Sequence, residues 1–280
     1  MPHFPAILRP LALSLAMLPL CAAEPPAPAT HWVKGVTAEK GWHDANKDRP
    51  EDGHKCWAAT AANMLAWWQD RNPHLAARPG APCGLGEIWD TFRHAFTDCS
   101  GETFLSLQWW FSGLLDRKEF IRTPYGMTCG GYYKDLLGGT VTRFPGQYLM
   151  WQNIAENSSA RITELIDQGY AIGIGIRRLD KDKRILPVWH MLSLWGAESD
   201  PATGQITRVY LTDSDDVSGN WPKYQRGLFP ATATMQEVTD EKGNKTSGLV
   251  LRADSGWFKD NCIITTIVML RADTAATTPE

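Results

Sequence analysis

Several chemistries lack their signatures in this sequence. It contains no Cys-x-x-Cys, no His-Glu-x-x-His, no Gly-x-x-x-x-Gly-Lys-Ser/Thr loop and no Gly-x-Ser-x-Gly turn. Zinc knuckles, dithiol redox centres, phosphate-cradling loops and the strained serine elbow of hydrolases therefore have nothing to support them. A charge excess is also missing, because 28 basic and 31 acidic residues leave a net charge of −3. A nucleic-acid partner is thus not expected, since it would call for a basic face. No apolar run reaches the roughly 20 residues that span a bilayer, so no membrane span is expected. With 43% hydrophobic and 21% charged residues, the chain is too apolar to stay disordered and can bury a core.

Residues 1–23 read as an export signal. Arg9 is the charge of a short leading region, an apolar stretch runs from Leu11 to Leu20, and Cys21-Ala22-Ala23 offers a small-x-small cleavage site. Leu20 sits where a lipidation site would carry a small residue, which disfavours Cys21 as a lipid anchor. A Pro/Ala-rich linker is expected over 24–31, one domain over 32–272 and a flexible tail over 273–280. The protein is accordingly expected to be secreted or periplasmic.

Five cysteines remain beyond the signal: Cys56, Cys83, Cys99, Cys129 and Cys262. In an oxidising compartment an odd count leaves one thiol over. Cys56 opens an alanine-rich helical stretch that runs to Asp70, with Ala61, Leu65 and Trp68 on one face and Asn72-Pro73 ending it. A helix start lends partial positive charge to a thiolate, so Cys56 is the candidate nucleophile. Further helices are expected at 86–96 and 102–116, and another capped by Ser158 or Ser159 and stopped at Gly169. Strands follow at 170–176, 188–197, 205–213, 249–252 and 262–270. Helices first and an antiparallel sheet second is an α+β arrangement.

A catalytic thiol needs a histidine, and His190 lies in an apolar strand, Val188-Trp189-His190-Met191-Leu192. If that strand and the next pair around a turn centred between Pro201 and Ala202, His190 stands opposite Asp213, within reach of its ring. An acid there fixes the imidazole tautomer and stabilises its charged form. Asp215, two residues on, is the second acidic candidate. The separation of 134 residues between Cys56 and His190 matches the spacing of papain-like proteases.

Three blocks give the chain a family resemblance. They are Trp32-Val33-Lys34-Gly35-Val36-Thr37; Gly41-Trp42-His43-Asp44 through Lys47 to Cys56-Trp57-Ala58-Ala59 and Trp67-Trp68; and His190 to Ala197, continuing through Val209 to Asp215. The sequence resembles the IdeS/Mac family of secreted bacterial cysteine endopeptidases, known for cutting immunoglobulin heavy chains. The resemblance implies a papain-like fold, with a helical N-terminal half carrying the nucleophile on a leading helix and an antiparallel sheet in the C-terminal half. It implies Cys56 as nucleophile, His190 as general base, Asp213 as its orienting acid, Asp215 as a second acid near the site, and Lys47 as an oxyanion-hole cation. No cofactor and no metal are implied, and the partner is a protein substrate, immunoglobulin being the family's target.

Two features depart from that family. Trp57 stands where a glycine would follow the nucleophile, and four further cysteines suggest disulfides, with Cys83 and Cys99 the favoured pair on local spacing. Two rival readings remain beside the peptidase. One is another acyl-transfer enzyme on the same triad, a peptidoglycan amidase or a transglutaminase-like protein. The other is a non-catalytic module whose 13 tryptophans grip peptide or glycan.

Overall fold

The computed structural model describes residues 27–114, 129–137, 149–153, 158–216, 227–253 and 260–272. The export signal, Cys21 and the tail 273–280 lie outside the described residues. Ahead of the helices, strand β1 (Ala29–Trp32) already pairs with the far end of β4, so the expected linker over 24–31 runs into ordered structure.

Helix α1 (Cys56–Arg71) is buried almost throughout, from Trp57 to Gln69. Five alanines between Ala58 and Ala66 give it a thin profile, which lets sheet and helices close on it from all sides. It is followed by the single turn α2 (Pro73–Ala76), then α3 (Gly84–Ala95) and α4 (Thr103–Ser112). Helix α4 ends four residues earlier than expected, because Gly113 takes a left-handed φ of 79° and caps it. Helix α5 (Ser158–Asp167) leads through Gly169 into the strands.

Those strands are β2 (Leu149–Asn153), β3 (Tyr170–Leu179), β4 (Ile185–Ser199), β5 (Ile206–Thr212), β6 (Phe229–Thr239), β7 (Lys245–Arg252) and β8 (Cys262–Arg271). Their order is β4-β3-β8-β7-β6-β5, and β5 pairs back onto β4. Six antiparallel strands thus form a closed barrel, with β1 and β2 added on β4 and β8. This corrects the papain-like α+β expectation. The helices are few, and the sheet built by the C-terminal half is not an open layer but a closed barrel.

Closure follows from strand irregularities. Register breaks lie in β3 between Gly175 and Ile176 and between Arg177 and Leu179, and in β4 between Leu194 and Gly196. Such bulges bend and twist a strand, and the accumulated curvature brings β5 round to β4. Gly173 of β3 has a separate task. A Cβ there would lie 2.9 Å from Thr60 and 3.2 Å from the Met64 sulfur, so glycine permits α1 to settle directly on the barrel wall.

None of the five cysteines beyond the signal is disulfide-bonded in this structure. The favoured Cys83–Cys99 pair does not form. Cys83 precedes α3 and Cys99 follows it, and a helix of 12 residues holds its ends about 18 Å apart. The Cys99 sulfur instead accepts a hydrogen bond from the Thr97 hydroxyl at 3.2 Å.

Candidate active site

Cys56 is the first residue of α1, and the turn before it is fixed by buried charge. Lys55 and Asp52 are both fully buried; the Lys55 ammonium donates to the Arg93 carbonyl at 3.3 Å, and the Arg93 guanidinium donates to Asp52 at 2.9 Å. On the other side Trp57 turns its ring into the aromatic core, 5.0 Å from Phe96, and its indole N–H donates to the Cys99 carbonyl at 2.9 Å. A tryptophan after Cys56 therefore anchors the helix start from behind.

His190 lies on β4, paired with Ile176 of β3. Its Nε2 bonds the Asp213 carboxylate at 2.6 Å, and both side chains are out of solvent. The contact is not made by the register expected. Ser193 faces Thr212, two residues beyond the partner that a turn centred between Pro201 and Ala202 would give it, because the turn is centred further along, near Ala202 and Thr203. The Asp200 carboxylate caps that loop by accepting the amides of Ala202 and Thr203. Strand β5 ends at Thr212, and the turn that follows carries Asp213 back to the imidazole. Asp213 also accepts the Asp215 amide at 3.0 Å, which holds its carboxylate in place.

Burial alone would push the Cys56 thiol up. It is outweighed by the charge of His190 and the hydrogen bond to it, by the charge of Lys47, and by the Met191 backbone, so the thiol falls below its ordinary value. Burial likewise opposes charge on His190, yet Asp213 and Cys56 together raise the imidazole well above its ordinary range. The two shifts run in opposite directions, as expected where a proton moves from sulfur to imidazole. With Nε2 held by Asp213, Nδ1 is the ring nitrogen turned to the thiol.

Lys47 is not a surface lysine. Its side chain is 8% exposed, its ammonium pairs with Asp215 at 2.6 Å and donates to the Gly53 carbonyl at 2.8 Å, and its amide donates to the Ser214 carbonyl at 2.8 Å. Asp215 also lies 3.8 Å from His190, a looser approach than that of Asp213. The structure thus brings Cys56, His190, Asp213, Asp215 and Lys47 into one cluster. His190, Asp213 and Asp215 each offer a ligand atom within 4.8 Å of the others, a spread that would suit a cation. The imidazolium and the Lys47 ammonium already supply positive charge to those carboxylates.

Residues without a local sequence signal complete the frame. Asn63, an amide within the alanine-rich helix, accepts the Ala45 amide at 2.7 Å and donates to the Ser193 hydroxyl at 3.0 Å. It ties α1, the segment 43–47 and β4 together. The Thr212 hydroxyl donates to the His43 carbonyl at 2.9 Å, laying 43–47 beside the turn at 213–216.

Beside the cluster opens a cavity of about 560 Å³. Phe104, Pro187, Trp189, Met191 and Val268 give it an apolar lining, and the ion-paired Arg177 and Glu241 stand in its wall. It adjoins Cys56 through Met191, and Thr103 at its edge donates to the Trp57 carbonyl at 2.9 Å. Trp189 is 42% exposed, whereas Trp57, Trp67, Trp68, Trp89, Trp109, Trp110 and Trp195 are buried. Most of the described tryptophans therefore serve the core and not a gripping surface.

Among the described residues no helix is long and apolar enough to cross a membrane. No family model matches the chain. The chain is similar to a protein named IgM protease from Streptococcus suis (strain P1/7), 23% identical over 248 residues, an alignment covering 76% of this chain and 21% of that protein. The chain therefore spans about a fifth of the length of this relative, and the likeness is to a protease.

Proposed function

We propose that the protein is an exported cysteine endopeptidase that hydrolyses peptide bonds of a protein substrate, with immunoglobulin heavy chains the first substrate class to test. The observation that carries this is the Cys56–His190–Asp213 chain, in which the thiol is drawn down and the imidazole drawn up. The likeness to a named protease supports a peptidase over other acyl transfers.

In this reading His190 holds the proton of Cys56, and the thiolate attacks the scissile carbonyl carbon. The carbonyl π pair moves to oxygen, giving a tetrahedral oxyanion. The Cys56 amide at the helix start and the Lys47 ammonium stabilise that charge; an ammonium has three donors, and Asp215 and Gly53 engage two. The pair returns to reform the carbonyl, the C–N bond breaks, and the imidazolium gives its proton to the leaving amine. Water, deprotonated by His190, then attacks the thioester, and the thiolate leaves. Asp213 keeps Nδ1 aimed at sulfur throughout. The apolar cavity beside Met191 receives a substrate side chain near the scissile bond.

The test is digestion of a panel of immunoglobulins and unrelated proteins by wild type and by Cys56→Ala, with fragments read by mass spectrometry. Defined fragments that vanish with Cys56→Ala are expected. Equal cleavage by that variant would sink the cysteine mechanism, and cleavage confined to other proteins would remove immunoglobulin as the substrate while keeping the peptidase.

A further inference from the structure

Behind the cluster lies a pair of acids that the mechanism does not use. Asp44, on the segment beside α1, and Asp216, at the end of the turn carrying Asp213, are in side-chain hydrogen-bond contact. Two carboxylates repel, so a hydrogen bond between two carboxyl groups requires that one of them hold a proton. The surroundings indicate which one. Asp216 accepts the Gly227 amide at 2.9 Å, a backbone donor that favours its charged form, whereas Asp44 has the weaker amide contact of Asn46 at 3.2 Å. Asp44 Oδ1 is sealed from solvent, and Asp216 is 4% exposed.

The pair closes one end of a zipper. Segment 43–47 and turn 212–216 are joined by Thr212 to the His43 carbonyl, by the Lys47 amide to the Ser214 carbonyl, and by Lys47 to Asp215. The Asp216 amide also donates to the Asp213 carbonyl at 3.2 Å, so whatever holds Asp216 holds the backbone of Asp213.

We propose that Asp44 is a positioning residue, donating a proton-bearing hydrogen bond to Asp216 that clamps the turn and keeps Asp213 on His190. The inference rests on the triad reading above and adds a pH limit to it. Among the described residues, the charged groups set against Asp44 are Asp216 and Asp213 from the turn. Asp215 with Lys47 lies next along the zipper, His190 of β4 lies behind Asp213, and Arg93 of α3 holds the neighbouring Asn46 carbonyl. Burial first, then the charge of Asp216, moves the Asp44 carboxyl from 3.8 to about 8. Above that pH both acids are charged, the clamp repels, and Asp213 loses its alignment. Folding stability follows the same sign: the folded state holds a proton that the unfolded chain has lost between 3.8 and about 8, so stability falls as pH rises through that window.

The test uses two readouts in wild type, Asp44→Asn and Asp216→Asn. The first is the low-field proton resonance of the His190–Asp213 hydrogen bond, followed by NMR against pH; it reads alignment whether or not the protein is a peptidase. The second is the ratio of kcat/KM at pH 9 to that at pH 7 on a cleaved substrate. In wild type the resonance should fade near pH 8 and the ratio should drop to about one tenth. Either asparagine variant removes the shared proton yet keeps an amide hydrogen bond that does not titrate, so the resonance should persist to higher pH and the ratio should rise severalfold. Fading at the same pH in wild type and both variants would overturn the proposal. If no substrate is cleaved, the functional reading fails by itself, and the resonance alone decides the fate of the clamp.

Discussion

Helix α1 separates two buried regions that are held together by opposite means. On one side, α3 and α4 bring Phe92, Phe96, Trp109 and Trp110 against one another, with ring centroids 4.9–6.5 Å apart, and Trp68 stands edge-on to Phe111 and Tyr133. On the other, Asp44, Lys47, His190, Asp213, Asp215 and Asp216 crowd charge into a small buried volume. Ring packing is tolerant, because each contact contributes little and many share the load. The charged side has no such reserve, since a carboxylate or imidazole displaced by 1 Å loses its partner and still bears its desolvation cost. The first region should therefore set how stable the molecule is, and the second whether it turns over substrate.

The largest test of that contrast compares the two acids beside His190. Asp213 touches the imidazole at 2.6 Å and Asp215 approaches it at 3.8 Å while pairing with Lys47 at 2.6 Å. Asp213→Ala should cost about 10⁴ in kcat, the size of the defect when the orienting acid of a serine triad is lost. Asp215→Ala should cost less, because it acts on the imidazole only at a distance and on the oxyanion only through Lys47. Kinetics on each variant, with circular dichroism as the folding check, decides the matter. An inactive Asp215→Ala beside an active Asp213→Ala would reassign the orienting residue.

Much of this arrangement was legible in the chain, and the losses have physical causes. Helix α1 is read within one residue at each end because Cys56 follows a turn and Asn72-Pro73 stops it. The His190–Asp213 proximity is readable from a hairpin, but its route is not. Hairpin arithmetic assumes a turn centre and a regular ladder, whereas the turn is centred further along, near Ala202 and Thr203, and Gly196 sits at a bulge. Barrel closure escapes for the same reason, since β4 must pair on both edges. Strand β6, Phe229–Thr239, is hidden by its alternating threonines and alanines, half of them facing solvent. Lys47 carries no local mark of burial, and Asp44 and Asp216 meet only after 172 positions of chain have folded. Pairings of that kind are tertiary facts, and no local pattern encodes them.

Lys47→Ala comes next in size. Removing the ammonium should lower kcat by about 10²–10³ with a smaller rise in KM, because the charge it answers develops only in the transition state. The same substitution strips Asp215 of its partner, so Lys47→Ala should resemble the double variant Lys47→Ala/Asp215→Ala more than the sum of the single effects. A kcat within a few fold of wild type would return Lys47 to a structural role. Steady-state kinetics on one cleavable peptide would suffice for the whole cycle.

The smallest effect on turnover should come from the aromatic side, and it should be paired with a clear loss of stability. Phe92 is fully buried and packs its ring 5.8 Å from Phe96, 5.4 Å from Trp110 and 5.9 Å from Trp109. Phe92→Leu keeps the site apolar but forfeits ring contacts and leaves a gap that the neighbouring rings only partly fill. A cost between about 1 and 3 kcal/mol is expected, in the range of ordinary core substitutions. For a domain of this size each kcal/mol lowers Tm by about 2–4 °C. Turnover measured well below the new Tm should stay within about twofold of wild type, because Phe92 packs on Phe96, Trp109 and Trp110, and changes at sites without shared partners add nearly independently. A kcat that falls tenfold while the folded fraction remains complete would break the division between the two regions. The route would then run through Trp57, whose ring meets Phe96 at 5.0 Å and whose backbone follows directly on Cys56.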